Sequence, residues 1–285
     1  MISTCDVSAS SNVFSVDVED YFQVQAFERI VDRDDWATYE SRVVDNTNKI
    51  ADALEENSVL GTFFVLGWVA EKQPQLVKRI AKDGHEIACH SYWHRQVTKM
   101  TKHEFQEDLH RATVVLEDLI GEKVTSFRAP SFSLALNMEW AWETLLDEGY
   151  SVDSSIFPIA HDRYGDRTSP RFPYHIRCGD RSILEFPPTT LRLLGMNLPV
   201  AGGGYFRLLP SWFSRFAFHQ VRRTNQPLMF YIHPWEIDPD QPRLPCRMLT
   251  RWRHYLGLRR TQGKIKRLLQ SFRFGRLKDA ALAMV

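Results

Sequence analysis

Two histidines four residues apart, His90 and His94, close the run His85-Glu-Ile-Ala-Cys-His90 and the loop after it. Where a strand turns into a loop or helix, two such imidazoles can converge on one cation, and neutral imidazole suits Zn, Co, Ni or Fe. The spacing alone is weak, because i, i+4 pairs are common on helix surfaces; His103 and His110 read as such. A second cluster raises its weight. Phe14-Ser-Val-Asp17-Val-Glu19-Asp20-Tyr-Phe22 is an apolar strand ending in three carboxylates. Alternation places Asp17 and Glu19 on one face, with Asp20 on the other or past the strand end. Acids crowded there need a cation, a proton or arginine partners. A solvated acidic turn accounts for Asp20 but not for Asp17, which lies inside the apolar run.

Three further segments carry chemistry-bearing residues at strand ends. In Ser126-Phe-Arg128-Ala-Pro130-Ser-Phe132, Arg128 can orient a carboxylate such as Asp17. In Phe230-Tyr-Ile-His233-Pro-Trp235-Glu236, His233 reads as a site histidine and Trp235 offers a flat face to a sugar ring. In Gly149-Tyr-Ser-Val-Asp153-Ser-Ser155, Asp153 can hold His233 in one tautomer. Gly202-Gly203-Gly204 has no GK[ST] after it and reads as a flexible loop lining the site. No G-x-S-x-G nucleophile elbow is present.

These residues need strands that deliver them to one place. Candidate strands are 13–18, 61–66, 86–90, 125–128, 150–153, 183–186 and 228–232. Between them, Leu76, Val77, Ile80 and Ala81 mark a helix closed by Gly84. Thr101-Lys-His-Glu104 is a capping-box start for a helix ending at Gly121, and a third helix runs from Met138 to Glu148. Strands alternating with helices predict a parallel α/β fold, a barrel, whose active site would lie at the C-terminal strand ends. The long connections 154–182 and 187–209 are suited to shaping that site.

The 285 residues are 44% hydrophobic and 25% charged, an ordinary globular composition. Net charge is +1, which gives no reason to expect a nucleic-acid partner. The charge is uneven: residues 241–285 hold 12 Lys/Arg and one acid. Within that tail Ile265, Leu268, Leu269 and Phe272 recur at helical spacing. Such a helix can lie on an anionic membrane, but packing on the domain with a solvated basic face is the preferred expectation. The longest apolar run, 59–70, is too short and broken to span a bilayer. The start, MISTCDVSASSN, has neither a basic nor an apolar leader region, so a cytoplasmic protein is expected. Four well-separated cysteines form no CxxC motif and predict reduced thiols.

Taken in order, the segments over residues 12–236 resemble the polysaccharide deacetylase family, the NodB-homology group of carbohydrate esterase family 4. The resemblance implies a distorted (β/α)7-type barrel over 12–236, with 237–285 as a basic helical extension packed on it. It implies removal of N-acetyl groups from an amino-sugar glycan, with one divalent metal, zinc before Co, Ni or Fe. Asp17 would be the base, His90 and His94 metal ligands, Arg128 with Pro130 and Asp153 supporting residues, and His233 the acid. The family's first motif usually has adjacent Asp residues followed by Gly; here Asp17-Val-Glu19-Asp20 leaves Glu19 and Asp20 as alternative metal carboxylates. Phe132, Tyr164, Tyr205 and Trp235 are candidate sugar platforms. The stretch from His233 to Asp238 onward is similar to a subgroup found with bacterial exopolysaccharide export systems, which implies peripheral contact with the inner membrane or export machinery. Two alternatives accompany this reading: an allantoinase-like amidohydrolase of the same fold, and a non-catalytic glycan-binding relative.

Overall fold

The computed structural model describes residues 2–4, 12–161 and 165–284. Its strands are β1 (Ile2–Thr4), β2 (Val13–Val18), β3 (Thr62–Val65), β4 (Glu86–Cys89), β5 (Ser126–Phe127), β6 (Val152–Asp153), β7 (Tyr174–Cys178), β8 (Arg181–Glu185), β9 (Thr190–Leu193), β10 (Met196–Pro199) and β11 (Met229–Ile232). Nine of them form one sheet in the order β1-β7-β8-β6-β5-β4-β3-β2-β11. Every pairing from β8 through to β11 is parallel. These seven parallel strands are the seven expected from the sequence. β7 and β1 extend one edge in antiparallel pairings, and β9–β10 is a separate hairpin.

The free side of β11 is not open. Met229 N donates to Thr189 Oγ1 at 2.7 Å, and Thr189 N donates back to Met229 O at 3.1 Å. Tyr231 N donates to Ala201 O at 2.9 Å. The chain leaving β8 thus reaches across to β11, and the curled parallel sheet approaches a barrel without a regular closing strand pair. Gly202 sits against β11 so tightly that a Cβ there would lie 1.9 Å from Tyr231 O. The glycine run is therefore a close-packing device that opens the helix Gly203–Leu208, not a flexible loop.

Strand burial follows from the layers. β2, β3, β4 and β11 are buried at every position, as strands covered on both faces should be. The helices Val43–Glu56, Pro74–Lys82, Lys102–Ile120 and Glu139–Asp147 alternate with them. The third opens on the Thr101/Glu104 capping box and closes on Gly121 at φ +71°.

The basic tail is part of this body. Ile265, Leu268 and Leu269 of the helix Leu258–Ser271, with Phe272, are buried in the main apolar cluster beside Phe14 and Phe230. The apolar face considered for a membrane is thus spent inside the protein. No helix among the described residues is long and apolar enough to cross a membrane. Cys89 is a buried free thiol; Cys178 and Cys246 are free and partly buried. Cys5 lies outside the described residues.

Candidate active site

β2 ends at Val18, and Glu19 N turns back to Asp17 O at 3.0 Å. This tight turn sends Glu19 and Asp20 to different places. Asp20 accepts hydrogen bonds from Tyr21 N, Ser41 Oγ, Arg42 N and Val43 N, so its oxygens cap the start of the next helix. It does not join the histidines, which corrects its place as a candidate metal ligand. Glu19 does join them: one donor atom from each of Glu19, His90 and His94 lies within 4.8 Å of the others, all three buried.

Each imidazole is held from behind. His90 Nδ1 lies 2.7 Å from Arg128 O. A carbonyl only accepts, so Nδ1 carries the proton and Nε2 keeps its lone pair. Burial pulls the His90 pKa down to about 4, so the ring is neutral near pH 7. His94 follows a turn in which Ser91 and His94 both take positive φ, +67° and +51°. Asp108 braces that turn by accepting from Tyr92 N at 3.0 Å and Trp93 N at 3.1 Å; burial pushes its carboxyl up to about 6.

Glu19 Oε1 accepts from Trp235 Nε1 at 3.2 Å. Oε2 lies 2.7 Å from His94 Nε2, but the approach does not make a hydrogen bond, and Oε2 is a buried acceptor without a donor. Burial would raise the Glu19 pKa, yet the surrounding His94, His233 and His90 rings bring it down to about 2. A buried carboxylate oxygen beside two imidazole nitrogens is a donor set that fits one divalent cation with room for further ligands.

Asp17 and Arg128 form the second part. Arg128 is fully buried, and Nη1 donates to Asp17 Oδ1 at 2.5 Å and to Ser15 Oγ at 2.9 Å. Nη2 donates to Ser154 Oγ at 2.9 Å and Nε to Ser154 O at 3.2 Å, while Phe64 packs against the guanidinium. Neighbours from β2, β3, β11 and the end of β6 fix this charge, so Asp17 is locked on one oxygen with the other directed to the site.

The third part is His233. Its Nε2 lies 3.7 Å from both Asp17 Oδ2 and Glu19 Oε1. Its Nδ1 donates to Glu236 Oε1 at 2.6 Å, and Glu236 Oε2 accepts from Arg207 Nε at 2.6 Å. Arg207 is further tied to the carbonyls of Arg253, His254 and Leu256. Burial alone would lower the His233 pKa, but Glu236, Glu19 and Asp17 together raise it to about 9.

Asp153 does not hold His233. Its carboxylate accepts from Ser155 N and Ser155 Oγ, and it shares a fully buried site with Glu185. Burial raises both carboxyls, Glu185 well above its usual range. Glu236 takes the role given to Asp153. The signal was present: an acid three residues after His233, with Pro234 between, is a capping-box pattern in which Glu236 also accepts from His233 N. Arg207, 29 residues away, gave no local signal.

The site floors a cavity of about 340 Å³ lined by Asp17, Glu19, His90, His94 and His233. Phe132 and Tyr205 are among its lining residues. Trp235 is not free to receive a sugar face: His233 stacks on it at 5.3 Å and His254 at 4.1 Å. Pro130 is buried and outside the lining; it opens the turn that carries Ser131 and Phe132 to the cavity. Tyr164 lies outside the described residues.

Residues 32–145 match the family described as polysaccharide deacetylase, and residues 154–282 match a domain of unknown function, DUF3473. A peptidoglycan-N-acetylglucosamine deacetylase of Bacillus cereus is 38% identical over 110 residues, 38% of this chain and 40% of that protein. The chain thus matches well under half the length of that relative. In the fold, a family 4 carbohydrate esterase from Streptomyces lividans, solved with acetate, aligns with TM-score 0.51 at 14% identity over 94% of this chain and 88% of its own. Puue allantoinase aligns with TM-score 0.65 at 13% identity over 96% and 89%. His90, His94 and Arg128 come from the first matched segment and Arg207, His233 and Glu236 from the second, while Asp17 and Glu19 precede both. Residues 32–145 are therefore similar to the polysaccharide deacetylase family and residues 154–282 to DUF3473, on a fold shared with a solved family 4 carbohydrate esterase.

Proposed function

We propose that this protein is a metal-dependent hydrolase that removes N-acetyl groups from an amino-sugar glycan. The observation that carries the reading is the buried Glu19–His90–His94 donor set with Asp17 and His233 on its cavity side. An amide needs its carbonyl polarised, a water deprotonated and its nitrogen protonated on leaving. A divalent cation held by Glu19, His90 and His94, zinc by the donor set, would polarise the carbonyl and acidify water. Asp17 Oδ2 takes the proton of the attacking water, because Arg128 occupies Oδ1 and leaves Oδ2 toward the cavity. His233 Nε2 gives a proton to the departing nitrogen, since Glu236 fixes Nδ1–H and sustains the imidazolium. Trp235 orients Glu19, and Phe132 and Tyr205 offer apolar surface to the sugar.

The sugar-exopolysaccharide assignment is finer. It rests on the likeness of His233-Pro-Trp-Glu-Ile-Asp238 to the export-associated subgroup, and it places the substrate among glycans under biosynthesis. A small cyclic ureide is a second reading, favoured by the wall that Gly203, Gly204 and Tyr205 build on one side of the cavity. Acetate release from N-acetylglucosamine oligomers, run beside ring opening of a cyclic ureide, decides between them. Acetate release abolished in Asp17→Asn supports the deacetylase; ureide turnover alone contradicts it.

A further inference from the structure

The helix Met248–Tyr255 is packed unlike the others. Only His254 of its eight residues is buried. Met248 is 86% exposed, Leu249 59% and Trp252 53%, and Leu256 just beyond is also exposed. A helix whose large apolar side chains face water is an unpartnered surface. It is also strongly charged: residues 241–267 carry nine Lys/Arg and no Asp or Glu, whereas residues 1–240 have a net charge of −10. Arg247 and Arg251 lie on or beside the helix and are exposed. Arg243, Arg259, Arg260 and Arg267 line an adjoining groove of about 880 Å³ that Leu208 and Leu256 also border. Among the described residues, Glu56 reaches this region, 3.8 Å from Lys266.

We propose that this face docks on an anionic lipid surface. Met248, Leu249 and Trp252 enter the interface, and the arginines meet lipid phosphates. Exposed apolar residues with an indole and a surround of cations carrying no acids are what an interfacial helix needs. Charge complementarity selects this occupant over a neutral apolar partner. The placement has a functional corollary: Thr250 and Trp252 also line the mouth of the active-site cavity, as does Leu208. A protein seated on this helix would hold that mouth at the membrane, within reach of a lipid-attached glycan. The docking itself does not depend on the deacetylase reading. The tail helix Leu258–Ser271 is not the contact, since its apolar face is buried.

The test is co-sedimentation of the full chain with phosphatidylcholine vesicles, with and without phosphatidylglycerol, and light scattering of the same protein alone. Binding is expected only with phosphatidylglycerol and is lost at high salt. Met248→Ser/Leu249→Ser should reduce partitioning by ~10-fold or more. Arg247→Glu and Arg251→Glu should each reduce it by roughly five-fold or more. Circular dichroism of each variant should match the unaltered chain. Absence of binding at low salt overturns the proposal. Equal binding to both vesicle types, unmoved by the arginine changes, overturns it too. So does a dimer that Met248→Ser/Leu249→Ser splits in a protein that ignores vesicles, which would make the face a contact between copies.

Discussion

Asp17 and His233 stand on opposite sides of the same small volume, and their supports differ in kind. Asp17 is locked by one fully buried arginine, so its role is separable from the metal donors. Asp17→Asn should retain the cation and lose at least ~100-fold in rate, measured by acetate release and metal content on the same samples. His233 depends on Glu236. As the acid, His233 must be protonated, so the rate falls as pH rises through its pKa, raised here to about 9. A bound cation cancels part of Glu19's contribution, placing the alkaline limb at or below that value. Glu236→Gln removes the first-named upward push, so the limb should move to lower pH; a profile identical to wild type would remove Glu236 from the relay. The histidine pair, Asp17, Arg128 and His233 were legible from residue type and strand-end position. The choice between Glu19 and Asp20 was not, because the Asp17–Glu19 turn abandons strand alternation one residue after β2. Asp153 was misread because its distance from His233 depends on how the sheet curls.

At the scale of elements, the seven parallel strands were readable since each is a short apolar run buried on both faces. β7 and the β9–β10 hairpin were not: Leu191 and Leu193 face Leu198 and Met196 across the hairpin, but Leu193 and Met196 are exposed and the strands sit inside a long connection. The glycine run was legible as unusual but not for its reason, a close approach to a strand distant in sequence. Gly202→Ala should push Cβ into Tyr231 O and destabilise the fold by ~1–3 kcal/mol or more, lowering the thermal midpoint. An unchanged midpoint would mean that the edge of β11 yields easily. The turn carrying His94 makes the complementary case. Two residues there hold positive φ without being glycine, a strain maintained by Asp108 and the packed loop around it.

The whole molecule joins its strand β2, the segment 32–145 and the segment 154–282 around one cavity, and the sequence boundary at 236/237 is not a packing boundary. Leu268→Ala should cost ~2–5 kcal/mol in urea unfolding, the range of a core truncation, although it lies in the basic tail. The tail's charge was visible in composition; which of its helices is buried was not, since Leu258–Ser271 and Met248–Tyr255 both carry apolar residues among arginines and only tertiary contacts choose between them. All the proposed chemistry converges on the cation that Glu19, His90 and His94 would share. The most direct measurement is the divalent metal content of the purified, metal-loaded chain beside His90→Ala and Glu19→Ala. About one equivalent in the unaltered protein and near none in either variant is the predicted result. Equal metal in all three, or none in any, would contradict it.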